Sequence, residues 1–150
     1  MLRRLVMTTA TLLALAMAPG RAWAQAPGVR AGVSGDPNQF YLGVHVQTPP
    51  VFDQVRFRPN VEVGLGDDLV LVALNLDLVW RVPIRNHPWS LLVGGGPAAN
   101  FFNHSERSET EVRGGLTVLV GLEHNRGFFT ELKVGLIDSP SVKFGIGYTF

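Results

Sequence analysis

The chain has 150 residues, a formal net charge of +1, 46% hydrophobic residues, 17 Gly, 10 Pro and no Cys, enough for one domain of moderate size and too little for two. With 17% charged residues it is neither a disordered nor a strongly electrostatic chain, and without Cys it has no disulfide framework, thiol nucleophile or Cys-based zinc finger.

Met1 to Ala24 reads as a cleaved signal peptide. Arg3 and Arg4 form its basic region, Leu5 to Ala18 is a charge-free apolar run, and Ala22-Trp23-Ala24 supplies a small-x-small cleavage site. The run of fourteen residues is short of the ~20 that a membrane-spanning helix requires. The Arg pair lacks the flanking residues of a twin-arginine signal, so Sec export is the expected route. Cleavage after Ala24 leaves residues 25–150 as one domain and removes Arg3, Arg4 and Arg21. Lys+Arg then falls from 13 to 10 against 12 Asp+Glu, a mature charge of −2. Such a chain offers no electrostatic basis for a nucleic-acid partner.

From there on the dominant period is two. The expected strands are Val29 to Ser34, Phe40 to Gln47, Val55 to Leu65, Val70 to Val82, Trp89 to Phe101, Glu111 to Glu123, Phe128 to Ile137 and Ser141 to Phe150. Between them stand Gly35-Asp36-Pro37-Asn38, Thr48-Pro49-Pro50, Gly66-Asp67-Asp68, Asn86-His87-Pro88, the polar run Asn103 to Thr110, His124-Asn125-Arg126-Gly127 and Asp138-Ser139-Pro140, all of turn-forming composition. The alternation is nearly free of exceptions. In the third strand Val55, Phe57, Pro59, Val61, Val63 and Leu65 share one face, opposite Arg56, Arg58, Asn60, Glu62 and Gly64. In the fourth, Val70, Val72, Leu74, Leu76, Leu78, Trp80 and Val82 share a face opposite Asn75, Asp77 and Arg81.

Long antiparallel strands with one apolar face occur in two settings. A soluble lipocalin-like binding barrel points the apolar face inward, and a membrane barrel points it at lipid. Three features favour the membrane. The strands approach the ~9 to 11 residues that cross a bilayer at a tilt. The polar face is rich in glycine, with Gly43, Gly64, Gly94, Gly96, Gly115, Gly121, Gly135, Gly145 and Gly147, which suits a lumen only wide enough for side chains and would merely weaken a solvated face. Aromatic residues gather near strand ends, with Phe52, Phe57, Trp80, Trp89, Phe128, Tyr148 and Phe150 toward one rim and Phe40, Tyr41, Phe101 and Phe102 toward the other, as in interfacial girdles. The expected fold is an all-β, eight-stranded antiparallel up-and-down transmembrane barrel.

On this reading Val61, Val63, Leu74, Leu76, Leu116, Val118, Leu132, Val134 and Ile146 face lipid. The lumen receives Arg30, Arg56, Arg58, Arg81, Arg113, Lys133 and Lys143 against Glu62, Asp77, Glu123 and Glu131. Charges withdrawn from bulk water need partners, so these residues are expected to form an ion-pair network that plugs the barrel. A narrow, anion-preferring solute pore is the alternative. His45 points into the lumen by itself and is expected to be packed or hydrogen-bonded; His87 and His124 fall in turns. No cofactor, metal cluster or catalytic constellation is expected.

The last strand carries a family resemblance. Lys143-Phe144-Gly145-Ile146-Gly147-Tyr148-Thr149-Phe150 resembles the C-terminal β-signal of bacterial outer-membrane proteins, with Lys143 as its polar residue, Gly145 two later, and Tyr148 and Phe150 as the aromatic third-from-last and last residues. Together with the signal peptide and eight strands, the whole mature chain resembles the small eight-stranded outer-membrane β-barrel family. The resemblance implies an outer-membrane location, insertion by the barrel-assembly machinery, lipid as the surrounding partner and both termini in the periplasm; the barrel is expected to be monomeric. It implies a structural, envelope-integrity role and no enzymatic activity. The exposed connections then are Gly35 to Asn38, Gly66 to Asp68, Phe102 to Thr110 and Asp138 to Pro140, most of them too short for an adhesin or receptor. A few family members are lipid A-modifying enzymes with Ser and His at the membrane rim; His104, Ser105, Glu106 and Ser108 are of the right type, but neighbours along a polar loop seldom converge into a catalytic triad.

Overall fold

The computed structural model describes residues 25–67, 69–104 and 110–150. The signal-peptide reading of residues 1–24, the turn residue Asp68 and the loop residues Ser105, Glu106 and Ser108 lie outside the described residues, as does the side chain of His104.

The described residues form nine strands: β1 (Ala26–Gly35), β2 (Gln39–Gln47), β3 (Pro50–Phe52), β4 (Val55–Gly66), β5 (Leu69–Pro83), β6 (Trp89–His104), β7 (Thr110–His124), β8 (Phe128–Ile137) and β9 (Val142–Thr149). All pairings are antiparallel. β2 pairs with β4, for example Leu42 with Val63 and Val44 with Val61, and β9 returns to β1 through Ala31 with Ile146 and Gly32 with Gly145. β1, β2 and β4 to β9 thereby close into an eight-stranded barrel, with β3 attached to β4 alone. Closure gives each wall strand two hydrogen-bonding neighbours and leaves the wall itself without a free edge.

The barrel is apolar outside and charged inside. On β5, Leu74 is 40% exposed and Trp80 52%, while Asp77 on the opposite face is 0% exposed. On β4, Arg58, Asn60 and Glu62 are buried and the alternate residues Val61 and Val63 form the outer surface. A soluble barrel would show the reverse. An apolar exterior around a polar lumen fits hydrocarbon, in which a closed barrel pairs its backbone between neighbouring strands. Leu76, Leu116, Val118, Leu132, Val134 and Ile146 also take the outer face that the alternation assigns them.

Inside, volume is tight. A Cβ added at Gly43 would lie 2.8 Å from Glu62 Cγ and 3.1 Å from Arg30 Cγ; one at Gly145 would strike the Tyr41 hydroxyl, and one at Gly147 the Phe129 ring. These glycines make room for long side chains of neighbouring strands: Arg30 and Glu62 flank Gly43, and Phe129 stands opposite Gly147.

The structure departs from the periodic reading in four places. Thr48-Pro49-Pro50 does not end in a simple turn, because Pro50–Phe52 forms the short strand β3, folded back on β4 through a turn in which Asp53 has φ 45°. Proline, which lacks an N–H, is tolerated on such an edge. β6 and β7 run past their expected ends and pair as far as Asn103 with Thr110, since backbone pairing continues where the polar side chains have left the apolar belt. A bulge between Leu116 and Thr117 on the β7–β8 ladder shifts the register, so the consecutive residues Leu136 and Ile137 are both exposed. Tyr41, expected in the aromatic girdle, is buried in the lumen, because it lies on the same face of β2 as Gln39, Gly43 and His45.

Leu74 lies near mid-height of β5, so Leu74→Arg should destabilise the barrel by about 2 to 4 kcal/mol in a bilayer, read as a lower urea unfolding midpoint, while Thr117→Ser on the inner face is tolerated. Spin labels at Leu74, Val118 and Val134 should be relaxed by lipid-dissolved oxygen and shielded from a water-soluble agent. The opposite pattern would reverse the two faces.

Candidate functional site

Alternation determines which residues enter the lumen, and ring closure determines which of them meet. Even-numbered positions of β1 and β4 bring in Arg30, Arg58 and Glu62; odd-numbered positions of β5, β8 and β9 bring in Asp77, Glu131, Lys133 and Lys143. All seven are at most 5% exposed. Lys133 and Lys143 stand directly opposite each other on the β8–β9 ladder, a like-charge arrangement that is unfavourable unless carboxylates separate the pair.

Carboxylates from the far wall do so. Lys133 Nζ donates to Asp77 Oδ2 at 2.7 Å and lies 3.9 Å from Glu62 Oε1, and Lys143 Nζ donates to Glu62 Oε2. Arg30 Nη1 bridges two carboxylates, Glu131 Oε1 at 2.7 Å and Glu62 Oε1 at 3.3 Å, while Arg58 Nη2 donates to Glu131 Oε2 at 2.5 Å. The result is one connected lattice of four cations and three carboxylates. Neutral groups extend it: Asn75 Nδ2 donates to Asn60 Oδ1 at 2.9 Å, and Asn60 Nδ2 donates to Asp77 Oδ2 at 2.9 Å.

Aromatic rings carry part of the charge. Phe129, fully buried, has the guanidinium carbons of Arg30 and Arg58 at 5.4 Å and 5.0 Å from its centroid, and Lys143 Nζ lies 4.9 Å from the centre of Tyr41. Such contacts partly replace the hydration that buried cations lose. His45 Nε2 lies 2.9 Å from Thr149 Oγ1, and its ring meets Phe129 edge-on at 5.3 Å.

The other charged residues expected in the lumen occupy its two mouths. Toward the end that carries the chain termini, Arg81 Nε pairs with Glu123 Oε1 at 2.9 Å, and Arg56 has no carboxylate within 4 Å among the described residues. At the opposite end Arg113 lies outside the buried lattice. It is half-exposed, pairs with Glu111 on its own strand at 2.8 Å and covers the Phe102 ring at 5.3 Å. β7 starts at Thr110, so Arg113 sits too close to the rim to reach the network.

Of the candidate assembly residues, Lys143 and Gly145 face the lumen while Tyr148 and Phe150 point outward, 5.3 Å apart ring to ring. They lie on or just beyond the strand that closes the barrel, and Phe150 N donates to Pro27 O at 2.9 Å. Asn60, Asn75, Tyr41 and Phe129 were not singled out as lumen partners by sequence. Their parity places them inside, but only the cross-lumen geometry gives them partners.

Each carboxylate of the lattice is paired with at least one cation. Among the described residues no three His, Cys, Asp or Glu side chains are placed to hold a metal ion. Removing one carboxylate leaves buried cations uncompensated, so Glu131→Ala should cost about 3 to 5 kcal/mol of folding stability. The loss should be strongly non-additive with Arg58→Ala in a double-mutant cycle of equilibrium unfolding.

No family model matches the chain, and no curated protein matches it. Solved structures do. The N-terminal β-barrel domain of Pseudomonas aeruginosa OprF superposes with a TM-score of 0.58 at 14% identity, covering 83% of this chain and 97% of that one. Neisserial surface protein A superposes with a TM-score of 0.56 at 13% identity, covering 84% and 95% respectively. The chain has the fold of the small eight-stranded outer-membrane β-barrels.

Proposed function

We propose that the chain is an integral outer-membrane barrel that contributes to envelope integrity without catalysis, its lumen closed by paired side chains. The observation that carries this reading is the lattice of Arg30, Arg58, Glu62, Asp77, Glu131, Lys133 and Lys143, which is buried and tied across the lumen from five wall strands. An ion crossing the barrel would have to break these pairs. The apolar belt supports lipid as the surrounding partner, and the short connections at the end away from the termini support a structural role over an adhesive one. Sec export, insertion by the barrel-assembly machinery, a monomeric state and periplasmic termini complete the proposal.

A small anion-preferring pore is the second reading, favoured by the one-charge excess of cations in the lattice. Planar-bilayer recording of the purified barrel decides between them. Closed barrels should give no reproducible unitary conductance, and Glu131→Ala, which loosens the lattice, should raise the frequency of openings. Reproducible anion-selective channels from the unaltered protein would replace the closed-lumen reading.

The assembly role of the C-terminal residues is tested separately. Deleting Phe150, or replacing it with Asp, should reduce the yield of heat-modifiable folded barrel in the membrane fraction and leave material open to periplasmic proteolysis. An unchanged yield would remove Phe150 from the assembly signal.

A further inference from the structure

We propose that the barrel mouth beside the two termini is a binding site for the phosphate or carboxylate group of a ligand, gripped by Arg56 and Arg126. A cleft of about 380 Å³ opens there, bordered by Arg56, Arg81, Glu123 and Arg126, with the amides of Gln47 and Asn125 completing its rim. That volume lies within the ~300 to 1,000 Å³ of small-molecule sites.

Three arginines and one Glu line this cleft. Glu123 is engaged by Arg81 at 2.9 Å, and neither Arg56 nor Arg126 has a carboxylate within 4 Å among the described residues, the C-terminal carboxylate of Phe150 included. Arg56, like Arg81, is an inward-facing cation outside the deeper lattice. Its Nε is buried and has no protein hydrogen-bond partner, and a buried donor of this kind is costly until it meets an acceptor. An oxyanion is the matching acceptor. The planar guanidinium presents two parallel N–H groups spaced for a carboxylate or phosphate edge.

Arg58, two residues along β4 from Arg56, is fully buried in the lattice. Arg126 stands in the exposed turn between β7 and β8, where its backbone N–H donates to His124 Nδ1 at 3.2 Å. This contact anchors the turn whose residues His124 to Gly127 line the cleft. With the orientation proposed above, the site opens to the periplasm, and it stands whether or not the lumen conducts.

The test uses the mature chain in phosphatidylcholine nanodiscs at low, constant ionic strength, since partly exposed charges are screened by salt. Inorganic phosphate is titrated while the arginine Nε–Hε and backbone amide signals are followed by NMR. Saturable shifts are expected at Arg56 and at Asn125 to Gly127, with none at Arg113 at the other mouth. Arg56→Gln should weaken binding at least about tenfold, a change of ~1.4 kcal/mol. Arg126→Gln, an exposed turn substitution that leaves the wall intact, should also weaken it, and heat-modifiable migration verifies that both variants fold. Shifts that rise linearly without saturation, shifts equal at Arg113, or affinity unchanged in both variants would overturn the site. A second arm replaces phosphatidylcholine with phosphatidylglycerol. Movement of the same signals without added phosphate retains the site and identifies its ligand as a lipid headgroup, while unmoved signals assign it to a soluble anion.

Discussion

Closing eight strands into a ring leaves a lumen that side chains must fill and that bulk water cannot enter in quantity, so every inward residue has to match its neighbours in volume and in charge together. Glycine solves the volume problem. At Gly43 the missing side chain is occupied by the stems of Arg30 and Glu62, and at Gly145 and Gly147 by Tyr41 and Phe129. The charge problem is solved by alternating signs across the lumen, so that Lys133 and Lys143, which face each other on adjacent strands, each reach a carboxylate on β4 or β5. Neither solution works alone. A larger residue at Gly43 would displace the two side chains whose ion pair helps to hold β1 against β4.

The exterior obeys a simpler requirement. Hydrocarbon offers no hydrogen bonds, so the wall must pair every backbone group internally and present apolar side chains over its full height. The seam between β1 and β9 is therefore as much a part of the structure as any hairpin. Near the end that carries the termini, Trp89 packs edge-on against His124 at 4.9 Å and Phe128 at 6.3 Å, and Trp80 and Tyr148 are exposed at the same level. Rings of this kind have an apolar body and a polar handle, and they settle at the boundary between hydrocarbon and headgroups. They limit how far the barrel slides along the membrane normal.

Buried ion pairs are weak evidence of net stability, because desolvation offsets most of the Coulombic gain. Their firmer consequence here is geometric. A slip of one residue in any wall strand would carry its charged residues to the lipid face and its leucines into the lumen, and a slip of two would separate the pairs. Glu131 holds Arg30 and Arg58 at once, so the positions of β1, β4 and β8 are mutually dependent. The two mouths have no such constraint and differ accordingly, with an exposed Arg113–Glu111 pair at one and an unpaired Arg56 beside the Arg81–Glu123 pair at the other.

The wall strands were legible in sequence because a lipid-facing surface tolerates few polar interruptions; over a dozen residues, as in Val70 to Val82, alternation leaves a single assignment of faces. The same pattern identified which charges enter the lumen, except Arg113, which sits exposed at the rim. It was silent on β3, whose three residues are too few to show a period, and on the bulge opposite Leu116, where the extra residue Leu136 on β8 breaks the period itself. Composition also misread Tyr41, an aromatic residue at a strand end whose parity points it inward. What tertiary structure alone decided is the set of partners. Arg58 and Glu131 are 73 residues apart and Arg30 and Glu131 are 101 apart, and they meet because the ring closes. A strand's alternation is a local property of its own backbone, whereas contact across a lumen depends on the position of every strand between.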